Sequence, residues 1–280
     1  MNRNNRFTFY YRVSRLVLHV LYGMAIAGVI FPWLSQKTRN RITRYWSNSL
    51  LGILNVHIHL QGVVPDLSSR NVMFVANHVS WLDIHLLNAV RPARFVAKSE
   101  VRGWPVIGWL AQKAGTLFIE RAKRHDTARV NHAVSAALNN GDCIVVFPEG
   151  TTSSGKIMRP FHASLLQPAV PSQSAIWPIA LRYVHPDGSI NTAPAYADEI
   201  TLKDSMVQVL SQPVIHAEMM YLETISAHGK TRKELAKAAE QVISSALNLV
   251  VPGKGSEKPD DLPAAQQKVP LPTGSHCPAP

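Results

Sequence analysis

The first 65 residues of this 280-residue chain contain no aspartate or glutamate, so all 18 acidic residues come later. Eight arginines and lysines lie in that stretch, on both sides of an apolar run, and supply most of the formal net charge of +11. A nucleic-acid-binding domain would instead spread basic and aromatic residues over its body. The concentrated charge therefore favours an anionic membrane surface as partner and argues against nucleic acid.

Cysteine is also scarce, since Cys143 and Cys277 are the only two in the chain. They form no disulfide framework, which fits a reducing compartment. The last four residues, Cys-Pro-Ala-Pro, lack the aliphatic pair of a prenylation signal, so lipid attachment there is excluded. A hydrophobic content of 46% excludes a disordered chain and suffices for one large domain or two modest ones.

The apolar run at residues 16–34 contains no Asp, Glu, Lys or Arg, but Pro32 interrupts its end. It approaches the ~20 residues of a membrane-spanning helix, yet basic residues flank both ends and favour the same side of the membrane for each. We therefore expect an in-plane or hairpin anchor. A second helix, predicted at residues 38–54, has basic residues before Tyr45 and Trp46, which suits a headgroup interface; a soluble helix packed on the core is the alternative. Residues 1–54 are thus predicted to be a membrane-associating helical segment at the cytoplasmic face of the inner membrane.

Beyond residue 55, short strand-like segments alternate with helical ones. The predicted strands span residues 56–60, 72–76, 94–97, 116–119, 143–147, 176–181 and 214–221, the last as an edge strand, and the clearest helices span 126–138 and 231–250. This order predicts an α/β domain over residues 55–250, with a mostly parallel central sheet flanked by helices and with sites beyond the carboxyl ends of the strands. Residues 251–280, rich in Pro, Gly, Lys and Asp, predict a disordered tail.

The turn after the strand at 72–76 carries the main catalytic candidates, His78 and Asp83. Histidine has an unperturbed pKa of about 6.5, which makes it a base near neutral pH, and a neighbouring carboxylate can fix its tautomer. The two side chains can meet if His78 lies in the turn and Asp83 lies in the first turn of a helix capped by Ser80. The same residues could merely cap a helix, or, with His85, bind a metal, although no second His/Cys cluster supports a metal site.

Candidate substrate-binding residues follow three other strands and are Lys98, Arg121, Glu149, Gly150, Thr151 and Thr152. The two cations could hold an anionic group or form ordinary surface ion pairs. The Pro-Glu-Gly-Thr-Thr segment could donate hydrogen bonds to phosphate or could be a simple turn. Residues 104–110, rich in Trp and aliphatic side chains, could line an apolar channel or pack in the core.

The order of these motifs resembles the four-block pattern of the lysophosphatidic acid acyltransferase family, the glycerolipid acyltransferases. The blocks are Asn77-His78 with Asp83 following, Gly-Thr-Leu-Phe-Ile-Glu-Arg at 115–121, Phe-Pro-Glu-Gly-Thr at 147–151 and Trp-Pro-Ile-Ala at 177–180. Lys98, Pro105 and Gly108 also lie where that family has such residues. The resemblance covers about residues 55–185.

The resemblance implies transfer of a fatty acyl group from a thioester, on coenzyme A or acyl carrier protein, to the free hydroxyl of a lysophospholipid in membrane-lipid biosynthesis. The expected reaction converts lysophosphatidic acid to phosphatidic acid. His78 would be the base and Asp83 would orient it; Arg121, Glu149, Gly150 and Thr151 would shape the acceptor site, and Arg121 with Lys98 would bind a phosphate. A thioester already carries a good leaving group, so no cofactor or metal is expected and no serine nucleophile is required; none lies in a Gly-x-Ser-x-Gly elbow.

One position departs from the family pattern. Many glycerol-phosphate members continue the third block as Gly-Thr-Arg-Ser, whereas Thr152 stands in place of that arginine here. Relatives with the Thr-Thr form resemble acyltransferases for lyso-ornithine lipid, which is therefore the alternative acceptor, and Arg159 and Lys156 could compensate for the lost guanidinium. Two other classes stay open: a peripheral membrane-binding module without catalysis, and a lipid hydrolase that uses His78 and Asp83 on water.

Overall fold

The computed structural model describes residues 3–120, 124–197 and 200–252. Its N-terminal part is a helical hairpin, in which α1 (Arg3–Ala25) continues through a π-helical turn (Ile26–Ile30) and a 3-10 turn (Phe31–Trp33), and α2 (Gln36–Leu54) returns. The 3-10 turn contains Pro32, whose ring cannot continue an α-helical hydrogen-bond ladder. Ser35 then caps α2 by accepting the N–H of Thr38. The chain therefore reverses where the sequence predicted an interruption.

Large apolar side chains cover the outside of this hairpin. They are Phe7, Tyr10, Tyr11, Val17, Leu18, Leu21, Tyr22, Val29, Ile30, Trp33 and Tyr45, of which Trp33 is 88% exposed. One helical stretch, Arg6–Trp33, is apolar and long enough to cross a membrane by length and composition. Because an apolar patch of this extent is unfavourable in water, it indicates that the hairpin associates with a membrane.

Seven strands form one sheet: β1 (Val56–Gln61), β2 (Val72–Ala76), β3 (Arg94–Lys98), β4 (Leu117–Ile119), β5 (Cys143–Val146), β6 (Ala175–Val184) and β7 (Ile215–Tyr221). Their order is β1-β7-β6-β2-β5-β3-β4, and every neighbouring pair is parallel except β6 and β7. The mostly parallel α/β sheet expected from the sequence is confirmed.

Helices cover both faces of the sheet: α3 (Leu82–Val90), α4 (Ile107–Lys113), α5 (Arg124–Asn139), α6 (Ala169–Ser172), α7 (Leu202–Ser211) and α8 (Arg232–Leu247). Side chains of the central strand β2 pack into two hydrophobic cores, one on each face of the sheet. Phe74 packs with α2 and α3, whereas Met73 and Val75 pack with α5 and α8. All five β2 residues are buried, as expected for an inner strand of a parallel sheet with both faces covered. The turn after β2 is therefore anchored from both sides.

The prediction that residues 214–221 form an edge strand was wrong. β7 lies between β1 and β6, and the edges of the sheet are β1 and β4. Buried and half-buried residues alternate at the start of β7, as at Ile215 and His216. Such alternation shows that one face of the sheet is better covered than the other, but it does not show whether a neighbouring strand lies on each side of β7. Its partner β1 is far away in sequence, so local pattern could not reveal the pairing. The tail predicted at 251–280 lies, beyond residue 252, outside the described residues.

A buried guanidinium fastens the hairpin to the body. Arg12 of α1 is only 9% exposed and donates hydrogen bonds to the carbonyls of Leu210, Gln212 and Pro213, at the end of α7. Cations are favourable at helix C-termini, where carbonyl groups have no intrahelical partner. The hairpin is thus attached by directed polar contacts as well as by apolar packing.

The two helices of the hairpin are joined by His19 and Trp46. Their rings stack with centroids 4.6 Å apart, the His19 Nε2 lies 3.0 Å from the Trp46 carbonyl, and the Trp46 Nε1–H donates to the His19 carbonyl at 3.2 Å. Gly23 permits this close approach, because a Cβ there would lie 2.6 Å from Trp46 Nε1. The contact fixes the spacing of α1 and α2, which form one wall of the site described below.

Candidate active site

The turn between β2 and α3 brings His78 and Asp83 together. The His78 Nδ1 lies 2.9 Å from the Asp83 Oδ2, and the same oxygen accepts the backbone N–H groups of Val79 and Ser80 at 2.8 and 2.9 Å. The carboxylate therefore points back from the first turn of α3 to the strand end, as the sequence predicted. The Ser80 hydroxyl accepts the N–H of Leu82, so a second side chain of the turn also binds a backbone N–H group at the start of α3.

A fourth donor reaches Asp83 from the neighbouring strand. The Tyr183 hydroxyl of β6 donates to the Asp83 Oδ1 at 2.6 Å, and the Asp83 side chain has no exposed surface. Burial, followed by the charge of Asp83, raises the pKa of Tyr183 well above its ordinary value, so the phenol keeps its proton. A carboxylate only accepts hydrogen bonds, and four donors compensate its burial. The orientation of Asp83 is consequently fixed.

The His78 ring is held between this carboxylate and an aromatic surface. It stacks on Phe147 with centroids 3.9 Å apart and planes 10° apart, and its side chain is 17% exposed. Among the described residues, only Nδ1 of the ring has a hydrogen-bond partner. When Nδ1–H donates to the carboxylate, Nε2 carries the free lone pair and can act as a base.

Glu149 holds the same turn through hydrogen bonds from its carboxylate. Its Oε1 accepts the His78 N–H at 2.7 Å and its Oε2 accepts the Arg159 N–H at 2.8 Å. Burial raises the pKa of Glu149 to about 7, against the opposing effect of these two N–H groups. The sequence predicted Glu149 to help shape the acceptor site, and the structure uses its carboxylate to join two backbone segments beside His78.

A cavity of about 1130 Å³ opens between the hairpin and the α/β body and reaches His78. Leu16, Val20 and Trp46 contribute to its wall from the hairpin, while Trp104 and Leu110 contribute from the body. Its volume slightly exceeds the ~300–1,000 Å³ of typical small-molecule sites, so long lipid chains have room. Of the two alternatives for residues 104–110, the structure supports lining of an apolar channel.

A second cavity of about 660 Å³ adjoins the first, and Lys98, Gly150 and Thr151 line both. Gly150 has a φ of +77°, a conformation that favours glycine, which explains why this residue follows Glu149. Thr152 lines the larger cavity, but its hydroxyl donates to the Tyr196 carbonyl. Four of the predicted binding residues thus come together at the cavities, with Glu149 bordering the smaller one. Arg121 lies outside the described residues.

The alternative of a metal site has no support in the described part of the chain, where no group of three or more His, Cys, Asp and Glu side chains could hold an ion. His85 packs its ring against Trp46 and Trp81. Burial lowers the pKa of His85 to about 4, so this ring is neutral at physiological pH.

Sequence reasoning missed Tyr183 and Phe147, which hold Asp83 and His78 in place. The strand at 176–181 was predicted two residues short of Tyr183, whereas β6 continues to Val184. Period-2 alternation from Ile179 through Leu181 places Tyr183 on the same face and was the available signal. Phe147 was visible only as the end of an apolar strand, and nothing local indicated that it stacks on the histidine.

A protein-family model described as Acyltransferase matches residues 55–182. Two curated relatives are similar over most of the chain. The lyso-ornithine lipid O-acyltransferase of Pseudomonas aeruginosa is 35% identical over 246 residues, which cover 84% of this chain and 92% of that protein. The 1-acyl-sn-glycerol-3-phosphate acyltransferase of Neisseria gonorrhoeae is 36% identical over 199 residues, covering 70% of this chain and 77% of that protein.

The fold is also similar to a solved structure, the crystal structure of the 1-acyl-sn-glycerophosphate (LPA) acyltransferase PlsC from Thermotoga maritima. The TM-score is 0.60 at 22% sequence identity, with 85% of this chain and 96% of that chain covered. At this identity the likeness concerns the fold alone.

Proposed function

The chain belongs to the acyltransferase family, and from that premise we propose that it moves a fatty acyl group from an acyl thioester to the free hydroxyl of a lysolipid in a membrane. The observation that carries this proposal is the His78–Asp83 pair at the wall of a large cavity with apolar sides. The pair supplies a base, and the cavity supplies room for acyl chains beside it.

The chemistry needs one base and no covalent enzyme intermediate. In the proposed step, His78 Nε2 removes the proton from the acceptor hydroxyl while its oxygen forms a bond to the thioester carbonyl carbon. Collapse of the tetrahedral intermediate breaks the carbon–sulfur bond, and the imidazolium returns its proton to the departing thiolate. Asp83 accepts the hydrogen bond from Nδ1–H, which leaves Nε2 unprotonated and facing the substrate. It also stabilises the imidazolium, as a carboxylate does beside a catalytic histidine.

The acceptor that we propose first is lysophosphatidic acid, which would become phosphatidic acid. A specific observation favours lyso-ornithine lipid as a second candidate: Thr152 replaces the arginine of the glycerol-phosphate pattern, and its hydroxyl is bonded to Tyr196. The Pseudomonas relative, named for lyso-ornithine lipid, is also similar over a larger share of this chain than the Neisseria relative. Both acceptors present a hydroxyl and an oxyanion, so one site could serve either.

The donor in this proposal is a thioester of coenzyme A or of acyl carrier protein, and no metal or other cofactor takes part. The basic N-terminal helices would place the enzyme on the anionic cytoplasmic face of the inner membrane, because anionic lipids attract lysine and arginine near the surface. We further propose that residues 1–54 serve as the membrane-associating unit and residues 55–250 as the catalytic unit.

A direct test supplies the purified full-length chain, in phosphatidylcholine vesicles, with one labelled acyl thioester and either lysophosphatidic acid or lyso-ornithine lipid. Formation of a labelled diacylated product supports transfer, and the acceptor that is converted faster identifies the substrate. Coenzyme A and acyl carrier protein thioesters are compared in parallel to identify the donor.

The matched control is His78→Ala, which should bind vesicles and form product ~10²–10⁴-fold more slowly than wild type. Release of free fatty acid at the same rate with and without lysolipid would instead identify a thioester hydrolase. Equal product formation by wild type and His78→Ala would contradict the proposed mechanism, because the base would then lie elsewhere.

A further inference from the structure

Arg159 lies beside the catalytic turn although it is far from His78 in sequence. Its backbone N–H and that of His78 bind the two oxygens of the same Glu149 carboxylate, at 2.8 and 2.7 Å. Its side chain lines the larger cavity, whose wall also includes His78, Thr151 and Thr152. The Glu149 bridge therefore holds the backbone of Arg159 close to that of His78, and both residues line the same cavity.

The Arg159 guanidinium is incompletely satisfied by the protein. Its Nε is buried and has no hydrogen-bond partner among the described residues, which also offer it no carboxylate within ion-pair distance. Buried donors without partners are rare because each costs free energy. A guanidinium that has no protein partner and borders a cavity is expected to bind a group of the molecule that occupies the cavity.

Four other arginines line the same cavity: Arg39, Arg70, Arg91 and Arg94. The Nε atoms of Arg39 and Arg91 are also buried without a partner among the described residues, but no hydrogen bond there joins either residue to the His78 turn. Arg91 donates to the Ser69 carbonyl, and Arg94 pairs with Asp142. Lys156, three residues before Arg159, is exposed and does not line the cavity. The Thr152 hydroxyl is bonded to a backbone carbonyl and is therefore not free to donate to a ligand. Arg159 thus differs from the other arginines of this wall in that Glu149 ties its backbone to that of His78.

We propose that Arg159 binds the anionic head group of the lysolipid acceptor, which is a phosphate in lysophosphatidic acid and a carboxylate in lyso-ornithine lipid. This inference rests on the proposed acyl transfer. A guanidinium can bind either oxyanion through two parallel N–H···O bonds, which fixes orientation as well as affinity. Holding the head group here brings the acceptor hydroxyl to His78 Nε2, so Arg159 selects and positions the acceptor without taking part in proton transfer.

The test compares wild type with Arg159→Gln, Arg159→Lys and the matched control Lys156→Gln, which removes a charge from the same loop outside the cavity. Each full-length protein receives one acyl thioester and three acceptors: lysophosphatidic acid, lyso-ornithine lipid and an uncharged monoacylglycerol. KM and kcat are measured for each acceptor, and thermal melting reports whether the variants fold.

Arg159→Gln should raise KM about 10- to 100-fold for the preferred anionic acceptor, the range expected for loss of a charge-assisted hydrogen-bond pair. It should leave kcat within a few-fold and should remove the preference over monoacylglycerol. Arg159→Lys should restore part of the affinity, and Lys156→Gln should behave as wild type. A rise in KM for lysophosphatidic acid indicates that Arg159 binds a phosphate, and a rise for lyso-ornithine lipid indicates that it binds a carboxylate.

An unchanged KM for both anionic acceptors in a folded Arg159→Gln protein would overturn the assignment while leaving the acyltransferase function intact. So would an equal loss on charged and uncharged acceptors, which would indicate a structural role. If wild type acylates none of the three acceptors, the proposed function itself fails, and the assignment fails with it.

Discussion

The N-terminal hairpin and the α/β body use apolar residues in opposite ways. The body buries them, with Met73, Leu82 and Leu86 at zero exposure, whereas the hairpin leaves Leu18 66% and Trp33 88% exposed. The apolar side chains of the body pack into two cores within the chain, one of which includes the buried face of α2. The exposed apolar surface of the hairpin is not covered by the rest of the chain and would be buried by a lipid bilayer. The comparison teaches that the chemistry and the location of this enzyme depend on separate sets of residues, which can be removed one at a time.

The polar groups show the same contrast. In the body, Asp83 and Glu149 are buried and each oxygen accepts hydrogen bonds from defined donors. In the hairpin, Lys37 and Arg41 are exposed, and anionic lipids attract such cations near a membrane surface. Loss of a body contact should therefore change rates and stability, while loss of a hairpin contact should change partitioning.

The largest effect should come from His78→Ala, which separates the two regions completely. Removing a general base lowers kcat by ~10²–10⁴-fold in typical enzymes. Vesicle binding should be unchanged, because the ring lies in the body. The measurement is product formation beside co-sedimentation with anionic vesicles, and loss of both together would contradict the separation of the two regions.

The reverse experiment changes Leu18 and Trp33 to Ser. Each exposed apolar side chain that enters the bilayer contributes ~1.5–3 kcal/mol, so the double variant should bind vesicles about 100-fold more weakly or worse. With substrates dispersed in detergent, kcat should stay at the wild-type value. The control is Val207→Ser, a change of an exposed apolar residue on α7 that should leave vesicle binding intact.

Glu149→Gln should act on stability more than on membrane binding. The amide NH2 would face one of the two backbone N–H groups, so one hydrogen bond is lost and the free energy of unfolding should fall by ~1–3 kcal/mol. Since His78 is one of the two residues held, kcat should fall as well. Chemical denaturation at pH 5 provides the measurement, and an unaltered free energy of unfolding would show that the bridge has no structural role.

The same variant tests the pKa of Glu149. Burial raises it from an ordinary 4.5 to about 7, so the folded state binds a proton more tightly than the unfolded state. The contribution of this group to stability is therefore fully present below pH 4.5 and is lost as pH rises through about 7. Wild type should lose stability over this window relative to Glu149→Gln, and parallel curves for the two proteins would contradict the shift.

The smallest effect should come from Tyr183→Phe. It removes one of the four donors to Asp83 and keeps the ring, so the loss of stability should be about 0.5–1.5 kcal/mol. The kcat should fall a few-fold, because the carboxylate that orients His78 keeps three donors. A loss as large as that of His78→Ala would mean that the hydroxyl takes part in the reaction directly.

The body could be predicted from the sequence more fully than the site. Each of the seven strands in the described residues was found within three residues of its prediction at either end, because hydrophobic or alternating segments between turn residues are recognisable locally. The pairing of β1 with β7 was not predictable, because it joins segments about 160 residues apart. At the site, the meeting of His78 with Asp83 is local and was predicted; Tyr183 and Phe147 reach the pair from other strands, and only the sheet order brings them there.

The sequence predicted the hairpin as a membrane anchor, but it did not predict that the hairpin forms part of the cavity wall. Its apolar run and basic flanks were visible, and Pro32 marked the reversal. That Leu16 and Trp46 would close a cavity in front of His78 depends on how the hairpin docks, which local pattern does not encode. Arg12, which secures this docking, resembled the other basic residues of the segment in sequence.

The three carbonyl contacts of Arg12 have a consequence for which hydroxyl of a lipid reacts. A hairpin joined to the body by a flexible linker would let the sheet tilt freely over the bilayer, and His78 would sample many depths. Because the guanidinium and the end of α7 are joined by hydrogen bonds, the imidazole would stay at a constant height above the headgroup plane once the hairpin lies in a membrane. Regioselectivity would then arise partly from the angle at which the whole molecule sits on the leaflet.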